Sequence, residues 1–168
     1  QAVSGFSGGG KKLIEYQNNN NSPFFYYGLN LNHKHLPEIK FHCDLENDPI
    51  FFPSVANFYQ GMIVNLFLTI KDFEKENSFF EIENFFMNYY ENKQFVKVNS
   101  NYNIEFPDGF YKPNSIINSN NVEINIFKNI NSGQLIISSN FDNLGKGASA
   151  AAIQCMNLRF GFDEKSGL

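Results

Sequence analysis

The strongest pattern along the chain is a two-residue alternation at residues 62–70. Met62, Val64, Leu66, Leu68 and Ile70 fall on one face, and Ile63, Asn65, Phe67 and Thr69 on the other. Opened by Gly61, this is the longest predicted strand. Its second face is too apolar for bulk water and is expected to meet a partner surface. Residues 122–127 also alternate, with Val122, Ile124 and Ile126 set against Glu123 and Asn125, as a half-buried strand does. Asn131-Ser132-Gly133 turns that strand back into residues 134–139, giving a hairpin. Shorter strands are expected at 1–3, 24–27, 49–53 (ended by Pro53) and 95–98. A loop is expected at 54–60 and an irregular stretch at 99–114, with Pro107-Asp108-Gly109 as a turn.

Helical signals lie between these strands. Ser78-Phe79-Phe80-Glu81 reads as a capping box. It opens a helix to about Asn92, whose stripe of Phe79, Ile82, Phe86 and Tyr90 belongs to the core. A helix is expected from Lys11 to about Gln17, followed by a polar break at 18–22. Another runs from Pro37 to Glu46, with Glu38 in its first turn, where a negative charge suits the helix N-terminus. The last is alanine-rich, follows the loop 141–149 and ends near Phe160; its small residues suit close packing on another surface. Strands and helices mix without an internal repeat or a linker, so the expectation is one α+β domain over 1–168, with helices gathered on one face of the sheet.

Composition narrows the function. The 168 residues suffice for a single sizeable core. A net charge of −4 and a single arginine, Arg159, argue against a groove that tracks nucleic-acid phosphates. No run approaches the roughly 20 apolar residues of a membrane span, and no signal peptide is visible. The 26 asparagines interrupt periodic apolar segments instead of replacing them, so they read as compositional drift. Two cysteines, Cys43 and Cys155, are too few for a disulfide framework and point to a reducing, cytoplasmic compartment. Both read as packed thiols. Cys43 does not face its neighbour His42, because adjacent helical residues point about 100° apart.

Two stretches carry candidate chemistry. His33-Lys34-His35, at the mouth of the helix at 37–46, suits acid/base work, anion recognition or metal binding. The loop Ser4-Gly5-Phe6-Ser7-Gly8-Gly9-Gly10-Lys11-Lys12 nearly matches a phosphate-binding P-loop, but Lys12 stands where Ser or Thr should hold magnesium. The more general reading is a glycine-rich anion loop before a helix start.

These pieces occur in an order that resembles a known family. Residues 2–11, Tyr27-Gly28-Leu29 with His33-Lys34-His35-Leu36-Pro37-Glu38, Phe52-Pro53-Ser54-Val55 with Gln60-Gly61-Met62, and Asp142-Asn143-Leu144-Gly145-Lys146-Gly147-Ala148 resemble the C-terminal catalytic and dimerisation domain of the shorter N-acetyl-gamma-glutamyl-phosphate reductases. The last motif is shared with aspartate-semialdehyde dehydrogenases; the His-x-His-x-Pro-Glu piece discriminates better. The resemblance implies the fold of the glyceraldehyde-3-phosphate dehydrogenase C-terminal domain: a mixed, largely antiparallel sheet, helices on one face, dimer contacts on the other. It implies NADPH-dependent reduction of an acyl phosphate to an aldehyde in arginine biosynthesis. His35 or His33 is implied to be the proton-handling histidine. Ser7, Lys11 and Lys34 are implied on the substrate and its phosphate, and Ser4, Gly5, Asn143 and Gly145 at the nicotinamide end, with no metal. With Arg159 the single arginine, the usual arginine clamp on the substrate carboxylate must be replaced by Lys34, Lys11, Lys12 or a preceding domain.

The same resemblance implies that an N-terminal Rossmann domain, which would bind most of the NADP, and the nucleophilic cysteine lie outside these 168 residues. The chain is therefore expected to be the second domain of a two-domain enzyme, inactive alone, and part of a homodimer or homotetramer. The glycine loop is expected to lack the ligand and partner domain that would hold it. An aspartyl-phosphate reductase and a non-catalytic dimerisation module are the alternatives. Neither membrane nor nucleic acid is an expected partner.

Overall fold

A computed structural model describes residues 1–73, 79–100 and 106–168 of the chain. Among them, seven strands form one mixed sheet: β1 (Ala2–Gly5), β2 (Phe24–Tyr26), β3 (Pro53–Ala56), β4 (Met62–Thr69), β5 (Val96–Asn99), β6 (Val122–Asn129) and β7 (Gln134–Phe141). Their spatial order is β2-β3-β1-β4-β7-β6-β5. Only β1–β3 and β5–β6 pair in parallel; the other four pairings are antiparallel. The helices are α1 (Gly10–Asn20), α2 (Leu36–His42), α3 (Phe79–Tyr89) and α4 (Ala150–Phe160). This is the mixed, largely antiparallel α+β fold expected. Ser78, the first residue of the predicted capping box, lies outside the described residues.

The register explains the core. Leu68 of β4 stands opposite Leu135 of β7, and Ile137 of β7 stands opposite Ile126 of β6. Ile82 of α3 packs on Ile126 and Leu135, with Phe79 and Phe86 beside it, so three of the four residues of the predicted stripe join the core and Tyr90 does not. Near the other end, Tyr16 of α1 makes an edge contact with Phe25 of β2.

The second face differs from the expectation of an apolar surface. Asn65, Ser138, Asn125 and Asn99 lie side by side across β4, β7, β6 and β5. The Ser138 hydroxyl donates to Asn65 at 2.6 Å, and the Asn99 amide donates to Asn125 at 2.9 Å. The Tyr111 hydroxyl joins the two halves through Asn125 and Ser138. Burial pushes that phenol up to about 12, against the hydrogen bonds from Ser138 and Asn125. The segment 106–121 lies over the ladder, packing Tyr111 against Phe127 at a tilt and bonding Asn140 to Ser115. Buried polar groups are usually paired; here most pair with each other, while Asn99 Oδ1 and Asn140 Oδ1 have no partner among the described residues. Leu66 and Phe67 of β4 remain exposed.

Several boundaries move for identifiable reasons. The predicted strand at 49–53 and loop at 54–60 are displaced: pairing starts at Pro53 and runs to Ala56. A proline without an N–H suits the first position of a strand, and Ser54 and Val55 are small enough for full burial between β1 and β2. Ile50, from the apolar run, is exposed. α1 continues through the predicted polar break to Asn20 and stops where Asn21 adopts a left-handed conformation (φ 46°), one that asparagine tolerates. α2 ends at His42, short of Glu46, because Asp44 is left-handed (φ 50°). Both cysteines are exposed, not packed. Cys43 caps an exposed helix end, and Cys155 lies on an exposed side of α4. Among the described residues, no helix is long and apolar enough to cross a membrane.

Candidate active site

The glycine loop is a turn with its own supports. β1 runs into a single helical turn, Phe6–Gly9, and then into α1. The Gly5, Phe6 and Ser7 amides donate to the carbonyls of Gly61, Phe58 and Tyr59 at 2.9, 2.9 and 3.1 Å. A Cβ on Gly5 would sit 2.5 Å from the Tyr59 carbonyl oxygen, so this close approach requires glycine. The P-loop reading therefore fails: these three amides are already used within the chain. The same bonds tie Gly5, Phe6 and Ser7 to residues 58–61 of the chain itself.

Asn143 ties this turn to the next strand. Its Oδ1 accepts from the Gly61 amide at 2.7 Å, and its Nδ2 donates to the Ser7 hydroxyl at 2.9 Å. Asp142, only 2% exposed, anchors the segment behind it. Its carboxylate accepts from Gln60 Nε2 and from the Asn118 and Leu144 amides, each at 2.8 Å. Burial pushes the Asp142 carboxyl up, but hydrogen bonds from the Leu144, Gly145 and Asn118 amides and from Gln60 hold it below the usual range.

The histidine arm is built differently. Gly28 (φ 64°) and Leu31 (φ 56°) turn the chain after β2, and the Leu31 amide donates to the Gly28 carbonyl at 2.9 Å. The His33 ring lies 5.6 Å from Tyr27, 5.0 Å from Phe51 and 5.1 Å from His35, between centroids. The His35 amide donates to His33 Nδ1 at 3.2 Å, which leaves the His33 proton on Nε2 in the neutral ring. Burial lowers the His33 pKa first, with the charges of His35 and Lys34 adding to it. His35 Nδ1 pairs with Glu38 Oε2 at 2.7 Å, one turn into α2. That contact places the donor N–H on Nδ1 and leaves Nε2 available.

An open cavity of about 840 Å³ separates these two walls. Six predicted site residues line it: Ser4, Gly5 and Asn143 from one side, and His33, Lys34 and His35 from the other. Ser7 is buried and acts through Asn143. Lys11 and Gly145 are not part of the lining; their neighbours Lys12 and Gly147 are. Sequence reasoning named Lys12 only as one of three lysines able to replace an arginine clamp, although helical phase held the clue to its place. Lys12 and Tyr16 are four residues apart and share a face of α1, and both line the cavity. It missed the Asp142–Gln60 support, which joins residues 82 positions apart and leaves no local sequence signal.

The profile of the semialdehyde dehydrogenase dimerisation domain matches residues 1–143. N-acetyl-gamma-glutamyl-phosphate reductase of Trichormus variabilis is 36% identical over 181 aligned positions, covering 99% of this chain and 55% of that protein. The reductase of the same name from Brucella ovis is 36% identical over 170 positions, covering 95% and 53%. The chain thus spans about half the length of the curated relatives it matches. Aspartate semialdehyde dehydrogenase from Francisella tularensis overlaps 68% of this chain and 31% of its own, at 17% identity and a TM-score of 0.49. The matched stretch begins at the first strand and closes on Asn143, the residue that locks the glycine turn in place, and on that match the chain belongs to the semialdehyde dehydrogenase dimerisation-domain family.

Proposed function

We propose that this chain is the catalytic and dimerisation domain of a reductase that converts N-acetyl-glutamyl 5-phosphate to N-acetyl-glutamate semialdehyde and phosphate, a step of arginine biosynthesis. The observation that carries the reading is the His35–Glu38 pair at the edge of the cavity that Ser4, Gly5 and Asn143 close from the other side. The relatives' names supply the substrate and the pathway.

The chemistry divides between this chain and a preceding domain. A cysteine thiolate outside these residues attacks the acyl carbon; the C–O bond to phosphate breaks, phosphate leaves and a thioester forms. NADPH, when bound, supplies the hydride that reduces the thioester. As the aldehyde leaves, the C–S bond breaks, and the sulfur takes its electron pair and a proton. His35 Nε2 gives that proton, while Glu38 holds Nδ1–H and stabilises the imidazolium before transfer. His33 is set up for packing instead, between Tyr27 and Phe51.

The residues present fit the nicotinamide end of the cofactor. Backbone approaches closely along Gly5 and Gly8, and a Cβ on Gly8 would meet Ser4 Oγ at 2.9 Å and Asn143 Nδ2 at 3.5 Å. Ser4, Gly5 and Asn143 would form that wall, with Gly145 shaping the loop behind it. A sheet whose central strands run antiparallel lacks the parallel crevice that holds a whole dinucleotide, so the remainder belongs to a Rossmann domain preceding this chain. Exposed Phe67, on the second face of β4, supports assembly as a homodimer, and two exposed, free thiols suit the cytoplasm.

The test is NADPH oxidation by the full-length reading frame with N-acetyl-glutamyl phosphate or aspartyl phosphate as substrate. The N-acetylated substrate should be preferred. His35→Asn should cut turnover by about 10²–10⁴-fold, and His33→Asn by much less. Near-normal turnover in the His35→Asn enzyme would overturn the assignment.

A further inference from the structure

The cavity's charges are one-sided. Lys12 enters from α1 and Lys34 from the histidine arm, and among the described residues no aspartate or glutamate lines the space between them. The described ion pairs include His35–Glu38, Lys40–Asp48, Lys112–Asp108 and Lys128–Glu83, and among the described residues neither lysine has a carboxylate partner. The lining between them is largely apolar, with Ala2, Phe25, Phe51, Val55 and Val64. The sole arginine, Arg159, lies on the exposed side of α4 and outside the lining. The bidentate fork by which arginine usually clamps a carboxylate or phosphate is therefore absent from this wall.

We propose that Lys12 and Lys34 form a two-ended anion clamp that selects substrates with a negative group at each end of an apolar spacer. This rests on the acyl-phosphate reading above and adds to it the residues that choose the substrate. An acyl phosphate bearing a distal carboxylate has that form. One lysine takes the phosphate and the other the carboxylate, while the aromatic and aliphatic floor accepts the methylene chain. A lysine ammonium is a point charge on a flexible stem, so the clamp tolerates variation in the spacer better than a rigid arginine fork would. A substrate with one anionic end engages only one of the two exposed lysines and binds weakly.

The test is calorimetric titration of the chain with 6-phosphonohexanoate. This stable dianion matches the carboxylate-to-phosphorus spacing of a glutamyl phosphate. Hexanoate and inorganic phosphate serve as single-ended probes. The dianion should bind at least about tenfold more tightly than either single-ended probe. Lys12→Ala and Lys34→Ala should each weaken its binding about tenfold or more, the range expected for a hydrogen bond to a charged group. Lys12→Arg and Lys34→Arg should retain most of the affinity. Lys71→Ala, in the turn after β4, should leave it unchanged. The clamp is overturned if the dianion does not bind, if hexanoate matches it, or if either alanine variant binds normally. Calorimetry needs neither hydride donor nor nucleophile, so failure of the reductase reading leaves this result readable. Conversely, His35-dependent turnover with an unmoved KM in both alanine enzymes would sink the clamp and leave the reductase standing.

Discussion

The two walls of the cavity are held by different kinds of bond. On the glycine side the supports are long-range: Gly5, Phe6 and Ser7 bond to residues 58–61, and Asn143 reaches back to Ser7 across 136 positions. On the histidine side the backbone bonds close locally, Leu31 to Gly28 and Leu36 to His33, and Leu29 and Leu31 are exposed. Local opening is easiest where backbone bonds are exposed and few distant contacts must break. The glycine wall is therefore a fixed template, and the histidine arm is the element able to adjust around a substrate. That division suits a reaction in which one side must hold the electrophile still and the other must deliver a proton.

The comparison breaks most visibly at Asp142. Asp142→Ala leaves Gln60 Nε2 and the Asn118 and Leu144 amides without their buried acceptor, and should cost about 2–4 kcal/mol of folding stability, since each buried donor left unsatisfied costs about 1–3 kcal/mol. Urea denaturation measures it, and a loss under about 1 kcal/mol would show that the glycine wall does not depend on this anchor. The sign with pH follows from the depressed carboxyl. Its contribution is fully present above the ordinary aspartate range and is lost as pH falls through the lower folded value. Asp142→Asn should flatten that acid limb.

A smaller effect sharpens the contrast. Gly5→Ala drives a Cβ into the Tyr59 carbonyl and should destabilise by about 1–3 kcal/mol, whereas Leu29→Ala, on the exposed arm, should stay within about 0.5 kcal/mol. Comparable losses at the two positions, read from thermal midpoints, would erase the distinction between a fixed and an adjustable wall.

The smallest effect lies at His33. Proton NMR should place its titration midpoint below the ordinary 6.5. The unfolded chain then takes up the proton first, so the His33 contribution to stability is present above the ordinary histidine value and is lost as pH falls through it and on to the lower folded value. In a His33→Phe protein that pH dependence should disappear. A midpoint at or above the ordinary value would show that the ring is not packed between Tyr27 and Phe51 as the structure has it.

Much of this protein was legible in its sequence. The alternation at 62–70, the hairpin around Asn131-Ser132-Gly133 and the stripe of Phe79, Ile82 and Phe86 each encode an element within one stretch of chain, because burial on one face of a strand or helix imposes its period locally. The histidine arm was legible for the same reason: His33, His35 and Glu38 are neighbours in sequence, so their spacing alone brings them together. What only the tertiary structure decided depends on distant pairs. Register, not period, set Asn65, Ser138 and Asn125 in one row and let a segment without regular structure cover an asparagine ladder. Burial of small residues between two strands moved β3 past the apolar run at 50–52. Bonds from Asn143 and Asp142 to residues 82 or more positions away made the glycine loop a fixed wall instead of a phosphate nest. Such bonds depend on which strands lie side by side, and a linear pattern of hydrophobic and polar residues does not specify that order.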